Sequence, residues 1–240
     1  MSKYISTLTA DLSDIVVGSL GSLPYILREH PRARRLSVRI DPLRQALIIT
    51  MPRNTSPERL QDFLKKTEAW AQNKFAKLLP PVLLDHGSVI HILEQELTLI
   101  SVPESQKRLW REGNHLYIGG HPENLPIRAK AWIISTLKTY VEKRSHEYAG
   151  QINKKIKEIR VRDLKSRWGS CNSKGSLCYT WRLAFAPLSI IDYVCAHEVG
   201  HLAEMNHSPR FWKIVHQLCP QALSHRQWLK KHGSQLLRYA

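Results

Sequence analysis

Apolar and polar positions change rhythm several times along the chain. Residues 25–28 and 36–40 alternate between the two, and residues 46–51 form a continuous apolar run. These runs predict strands of an antiparallel meander with a turn at Asp41-Pro42. Ser56-Pro57-Glu58 then opens a helix to about residue 79: a capping hydroxyl, a proline in the first turn and an early acid. Leu60, Phe63, Leu64, Trp70 and Phe75 make its apolar stripe, and Pro80-Pro81 ends it. Strand pairs are expected over 89–102 and 109–118, the second turning at Glu112-Gly113-Asn114.

The period then lengthens. Residues 125–149 read as a long basic helix with Ile133, Leu137, Tyr140, Val141 and Tyr148 on one side. A strand is expected at 158–164, a loop at 166–175, and a strongly alternating strand at 177–185. Pro187-Leu188-Ser189 opens the next helix, with Ser189 and Asp192 at capping-box spacing, and two short helices close the chain, the first begun by Ser208-Pro209. Elements of both kinds, segregated rather than alternating, predict an α+β fold. The sharpest break is Gly119-Gly120-His121-Pro122. It suggests a tail (1–24), a β-rich subdomain with one helix (25–121) and a C-terminal subdomain (122–240).

Composition narrows the class. With 240 residues, 42% hydrophobic and 23% charged, the chain has an ordinary globular balance. No apolar run reaches the length of a membrane span, and Asp11 and Asp14 interrupt what would have to be an uncharged secretory core. The expectation is a cytoplasmic protein with no membrane partner. Cys171, Cys178, Cys195 and Cys219 contain no C-x-x-C pair and read as reduced thiols. Charge is the departure: 36 Lys and Arg against 20 Asp and Glu give +16. Residues 138–174 hold eleven basic and four acidic side chains, and residues 207–240 six basic and none acidic. Such a field suits non-specific nucleic acid or an acidic substrate as partner, or serves as a solvated basic face.

The candidate chemistry sits on the helix opened at 187. In His197-Glu198-Val199-Gly200-His201 the histidines fall about 40° apart around the axis and about 6 Å apart along it, so both imidazoles reach one tetrahedral Zn²⁺. Glu198, beside the first of them, can act as general base on a zinc-activated water. The helix is otherwise apolar, and Gly200 leaves room for a neighbouring element. No Asp or Glu follows Glu204, so a distant downstream carboxylate ligand is excluded. His207 and Glu204 remain as third ligands. Three ligands along one helical stripe fit a tetrahedron poorly, which favours His207, provided that the helix stops first; Asn206 is a suitable residue for that stop.

An ordered series of motifs carries a resemblance. Lys165-Ser166-Arg167-Trp168-Gly169-Ser170-Cys171 is followed by Trp181-Arg182-Leu183, then by Tyr193-Val194 and the histidine motif. Met205-Asn206-His207-Ser208, Phe211-Trp212 and Trp228-Leu229 complete it. In these, over nearly the whole chain from about residue 25, the sequence resembles the YgjP-like metallopeptidases, relatives of the SprT-like and WLM zinc peptidases. The resemblance implies a zincin-type domain, peptide or protein substrates, His197, His201 and His207 as zinc ligands, and Glu198 as catalytic base. Thr180 stands where an asparagine is expected, and Gly200 where alanine is more usual. Arg167 and Arg182 are candidates to neutralise an oxyanion or to orient a substrate carboxylate, or else to pair with Glu204 or Asp192. Trp168, Trp181, Phe211 and Trp212 read as core anchors. A peptide could add as a strand to 177–185 if that strand lies at a sheet edge. The alternatives are a zinc hydrolase of a non-peptide substrate such as a nucleotide phosphoanhydride, or a nucleic-acid-associated protease or binding module.

Overall fold

The computed structural model describes residues 16–103, 105, 108–164 and 166–239. Lys165, the first residue of the motif quoted above, lies outside them. The fold is mixed α and β, in two compact units that divide at Pro81–Val82. Each is described on its own.

The first unit holds β1 (Val16–Leu20), β2 (Leu23–Glu29), β3 (Ser37–Asp41), β4 (Ala46–Met51) and α1 (Pro57–Phe75). β1 falls within the stretch expected as a tail, and Gly21 turns it into β2 at φ +59. The strands do not form a simple meander. Their order is β1-β2-β4-β3, with β2 and β4 parallel, because the apolar run of β4 is buried from Ala46 to Ile49 and takes an interior place. Ser56 caps α1 by accepting from the Arg59 N–H at 3.3 Å. Trp70, expected on the apolar stripe of α1, is 42% exposed; Ala71 is the residue that enters the core with Leu20, Leu23 and Leu47.

The second unit begins with β5 (Val89–Ile92), β6 (Gln95–Val102), β7 (Leu109–Glu112) and β8 (His115–Gly119), ordered β5-β6-β8-β7. The chain continues into α2 (Leu125–Gln151), and the two share one core: Ile90, Leu97, Leu99, Leu116 and Ile118 pack in a cluster with Leu125, Ile133, Leu137 and Val141. For that reason the break read at Gly119–Pro122 is only a turn inside a compact unit, with Gly120 at φ +85 under the Arg128 guanidinium.

Beyond α2, β9 (Glu158–Arg162), β10 (Gly169–Cys171) and β11 (Ser176–Thr180) form a second sheet, with β11 in the middle. The strand expected over 177–185 stops at Thr180, where its pairing with β9 ends, and residues Trp181–Phe185 form a 3-10 turn. Trp181, Arg182, Leu183 and Ala184 are all buried, so alternating hydrophobicity there did not mean a one-sided strand. The unit closes with α3 (Leu188–Gly200), α4 (Pro209–Leu218) and α5 (Ala222–Leu236). No described helix is long and apolar enough to cross a membrane.

Candidate metal centre

α3 is the most deeply set helix of the unit: Ile191, Cys195, Ala196 and Val199 have no exposed surface. Its start is not the capping box read from Ser189 and Asp192. The Leu188 N–H donates instead to the Glu94 carboxylate at 3.1 Å, from the turn between β5 and β6. Asp192 is held by the Tyr140 hydroxyl at 2.8 Å and by Arg144 at 3.0 Å. Helix-first reasoning could not see a cap supplied from so far back in the chain.

The other end of α3 makes the site. The helix stops at Gly200, earlier than the stop expected at Asn206, and His201 is its C-cap. A Cβ on Gly200 would lie 3.1 Å from Phe211 and 3.1 Å from Val215, so the bare glycine lets α4 pack directly on α3. The chain folds back through 202–207, and Ser208 caps α4 by accepting from the Phe211 N–H at 3.3 Å. That turn returns His207 to the α3 histidines.

His197, His201 and His207 put one ring nitrogen each within 4.8 Å of one another. The Nε2 atoms of His197 and His207 are 3.1 Å apart. With metal–nitrogen bonds near 2.0–2.1 Å the edge of a tetrahedral zinc site is about 3.4 Å, so one pair lies inside that edge and the widest outside it. The Nδ1 of His201 meets the Glu204 backbone carbonyl at 3.0 Å; a proton there leaves Nε2 free as a ligand. Glu204 thus contributes its backbone, and its carboxylate is not among the clustered groups. The Phe211 ring backs all three imidazoles, at centroid distances of 4.9, 4.4 and 4.9 Å. Burial, with the neighbouring histidines and Arg226, holds His197 down to about 3, and burial also lowers His201. Imidazoles kept neutral in this way are ready metal ligands.

Glu198 is 5% exposed and lies against β10. A Cβ on Gly169 would come within 2.6 Å of its Cγ and Oε1, so the glycine is the cradle of this carboxylate. Burial pushes the Glu198 carboxyl up to about 8, against the pull of the Arg167 guanidinium. A cation at the histidines would favour its charged form. Trp168 fixes the segment ahead of Gly169: its ring sits where a Cβ on Gly233 of α5 would be, 2.6 Å away. Gly169 stands in the motif quoted above, but its packing role escaped the sequence reading, as did Gly233 altogether. The available signal was the glycine itself, which inside a strand or a helix costs stability unless a close approach needs it.

His197 and Glu198 open into a cleft of about 350 Å³ lined also by Arg167, Trp168, Tyr193, Arg226, Leu229 and Lys230. Arg182 is not there. It is 2% exposed, pairs with Asp163, and donates from Nε to the Tyr239 carbonyl at 3.1 Å. Its partner is neither Glu204 nor Asp192, and a guanidinium so enclosed cannot meet substrate. β11 is likewise interior to its sheet, so the edge beside Glu198 belongs to β10.

Comparison with known proteins adds to this geometry. The family profile described as YgjP-like, metallopeptidase domain, matches residues 34–232. Among solved structures, the crystal structure of the metallopeptidase zymogen of Pyrococcus abyssi abylysin is similar at 21% identity and a TM-score of 0.35, over 38% of this chain and 93% of that one. No curated protein matches the chain.

Proposed function

This chain belongs to the YgjP-like metallopeptidase family, and from that premise we propose that it is a zinc-dependent peptidase with a zincin-like catalytic domain. The observation that carries the reading is a three-histidine cluster with a buried, cradled glutamate next to its first member, that histidine and the glutamate lining one cleft. His197, His201 and His207 would hold the ion, three imidazoles being a donor set that suits zinc. Zinc bound there supplies Lewis acidity, which polarises a carbonyl and acidifies water.

The protein's own groups do the rest. Glu198 takes a proton from the attacking water on a carboxylate oxygen as the oxygen joins the scissile carbonyl carbon. It then delivers that proton to the departing amide nitrogen as the C–N bond breaks. Gly169 and the docked Trp168 keep the carboxylate in place through both transfers. A peptide extended along the free edge of β10 pairs with backbone and brings its carbonyl to the cleft. Arg167, at the rim beside Glu198, orients the substrate.

The Glu198→Gln variant tests the assignment. It is expected to retain one zinc per chain by elemental analysis and to lose about 10²–10⁴-fold in peptide hydrolysis. Near wild-type turnover would remove Glu198 as the base.

A further inference from the structure

The cleft carries more positive charge than peptide hydrolysis requires. Arg226 and Lys230 stand four residues apart on α5, on the same side as Leu229, and line it together. Arg167 is the charged neighbour of Glu198 and Arg226 that of His197, so cations border the reaction centre at both of its working groups. Among the described residues none of these three has a carboxylate partner. Arg226 is held instead over the Trp212 indole, 5.0 Å from its centroid. No acidic residue exists in α4 or α5 to supply one, and among the described residues Glu198 is the only carboxylate lining the cleft.

The charge continues across the β10-β11-β9 sheet. A second hollow, about 440 Å³, is lined by residues of β9, β10 and β11, and Arg167 borders both. It holds Lys157, Arg160 and Arg162 against one acid, Glu158, which pairs with Arg160. Lys157 and Arg162 form no salt bridge among the described residues, although Glu158 lies within the field of both. A peptide paired to the free edge of β10 is separated from the β9 cations by β10 and β11, so Arg167, which borders both hollows, is the cation it meets on that side. The walls of the cleft include Val194 and Leu229. An apolar wall topped by fixed cations fits a side chain with a short aliphatic stem and an anionic tip. Nucleic acid fits less well, since its bases need open ring faces. Trp168 is docked on Gly233, and Tyr193 is 4% exposed.

We infer that the cleft selects acidic peptide segments, with Asp or Glu side chains flanking the scissile bond, one side held by Arg226 and Lys230 and the other by Arg167. This rests on the peptidase reading for the position of the bond, but the affinity for acidic peptide is measurable without cleavage.

The test uses the zinc-loaded full chain carrying Glu198→Gln and follows fluorescence anisotropy of labelled decapeptides. One has four Glu, one has Gln at the same positions, and a single-stranded oligonucleotide of equal charge serves as competitor. The Glu peptide is expected to bind about tenfold or more tightly than the Gln peptide, and Arg226→Ala with Lys230→Ala to reduce that ratio to about threefold or less. Equal affinity for the two peptides, or a ratio untouched by removing the cations, overturns the inference. Displacement of the Glu peptide by a lower concentration of oligonucleotide overturns it in favour of nucleic acid. The same peptides given to wild-type enzyme separate the two readings. Equal cleavage of both keeps the peptidase and sinks the selectivity; selective binding with no cleavage keeps the acidic ligand and sinks the peptidase.

Discussion

The chemistry of this protein depends on residues with no functional group as much as on those that have one. Glu198 is placed by the absence of a side chain at Gly169, and the histidines by the absence of one at Gly200. The two glycines differ in tolerance. A methyl on Gly200 would meet Phe211 and Val215 at 3.1 Å, which small adjustments of those rings and methyls can absorb. A methyl on Gly169 would overlap Glu198 itself at 2.6 Å. Gly169→Ala is therefore expected to leave metal binding intact while kcat falls at least about tenfold, because the proposed base is displaced from its position. Steady-state kinetics with metal analysis checks this, and an unimpaired kcat would show that Glu198 does not depend on its cradle.

At the scale of elements, the decisive feature is the short return from the end of α3 to the start of α4. Ser208 caps α4 directly after His207, so the cap also fixes the third histidine. Ser208→Ala is expected to cost about 1 kcal/mol of stability, as lost N-caps do. It should also weaken metal retention against a chelator, whereas a cap lost elsewhere, such as Ser56→Ala in α1, costs similar stability and leaves metal binding unaffected. Thermal melts and chelator competition on both variants decide the point. This region was legible in sequence because its signals are local: two histidines a helical turn apart, and a serine and proline that begin a helix. The long stripe of α2 was legible for the same reason, and Ile133, Leu137 and Val141 have no exposed surface. What sequence missed was set at a distance. Glu94 caps α3 across the fold, and the alternation at 181–185 broke down because both sides of that segment are buried. β1 went unseen because its strand is specified by pairing with β2 across Gly21 rather than by a pattern of its own.

At the scale of the whole second unit, Arg182 is a fastening point. Asp163 follows β9, Lys130 lies on α2 and reaches Asp163 at 3.2 Å, and the Tyr239 carbonyl comes from beyond α5. Phe185 and Tyr239 stack beside it with parallel rings. Although burial works against ionisation of Asp163, bonding to Arg182 and then Lys130 holds its carboxyl below the ordinary range. A folded value below the unfolded one stabilises above the unfolded value, about 3.9, and that contribution is lost as pH falls through the folded value. Asp163→Asn is thus expected to cost about 1–2 kcal/mol at pH 7, since it leaves a buried guanidinium without its counter-charge while the part-exposed carboxylate is screened by solvent. The gap to wild type should narrow below about pH 4 and close once the native carboxyl is protonated. Urea unfolding at neutral and acid pH measures it, and a gap that stays constant across that range would mean that Asp163 acts through packing alone.

The aromatic wall behind the histidines has an optical consequence. Trp212 lies 5.9 Å from the ring of His207, nearly parallel to it, and 5.9 Å from that of His197. An indole emits according to what surrounds it, and here two of the three imidazoles that converge on one point are its neighbours. A metal bound there would therefore be reported by the fluorescence of Trp212. Stripping the metal should shift or dim the emission, reloading should restore it, and Trp212→Phe should remove most of the change although six other tryptophans remain of the seven. A response undiminished in that variant would place the source of the signal elsewhere. Metal affinity could then be read from the intact, unlabelled chain, before any substrate for it is known.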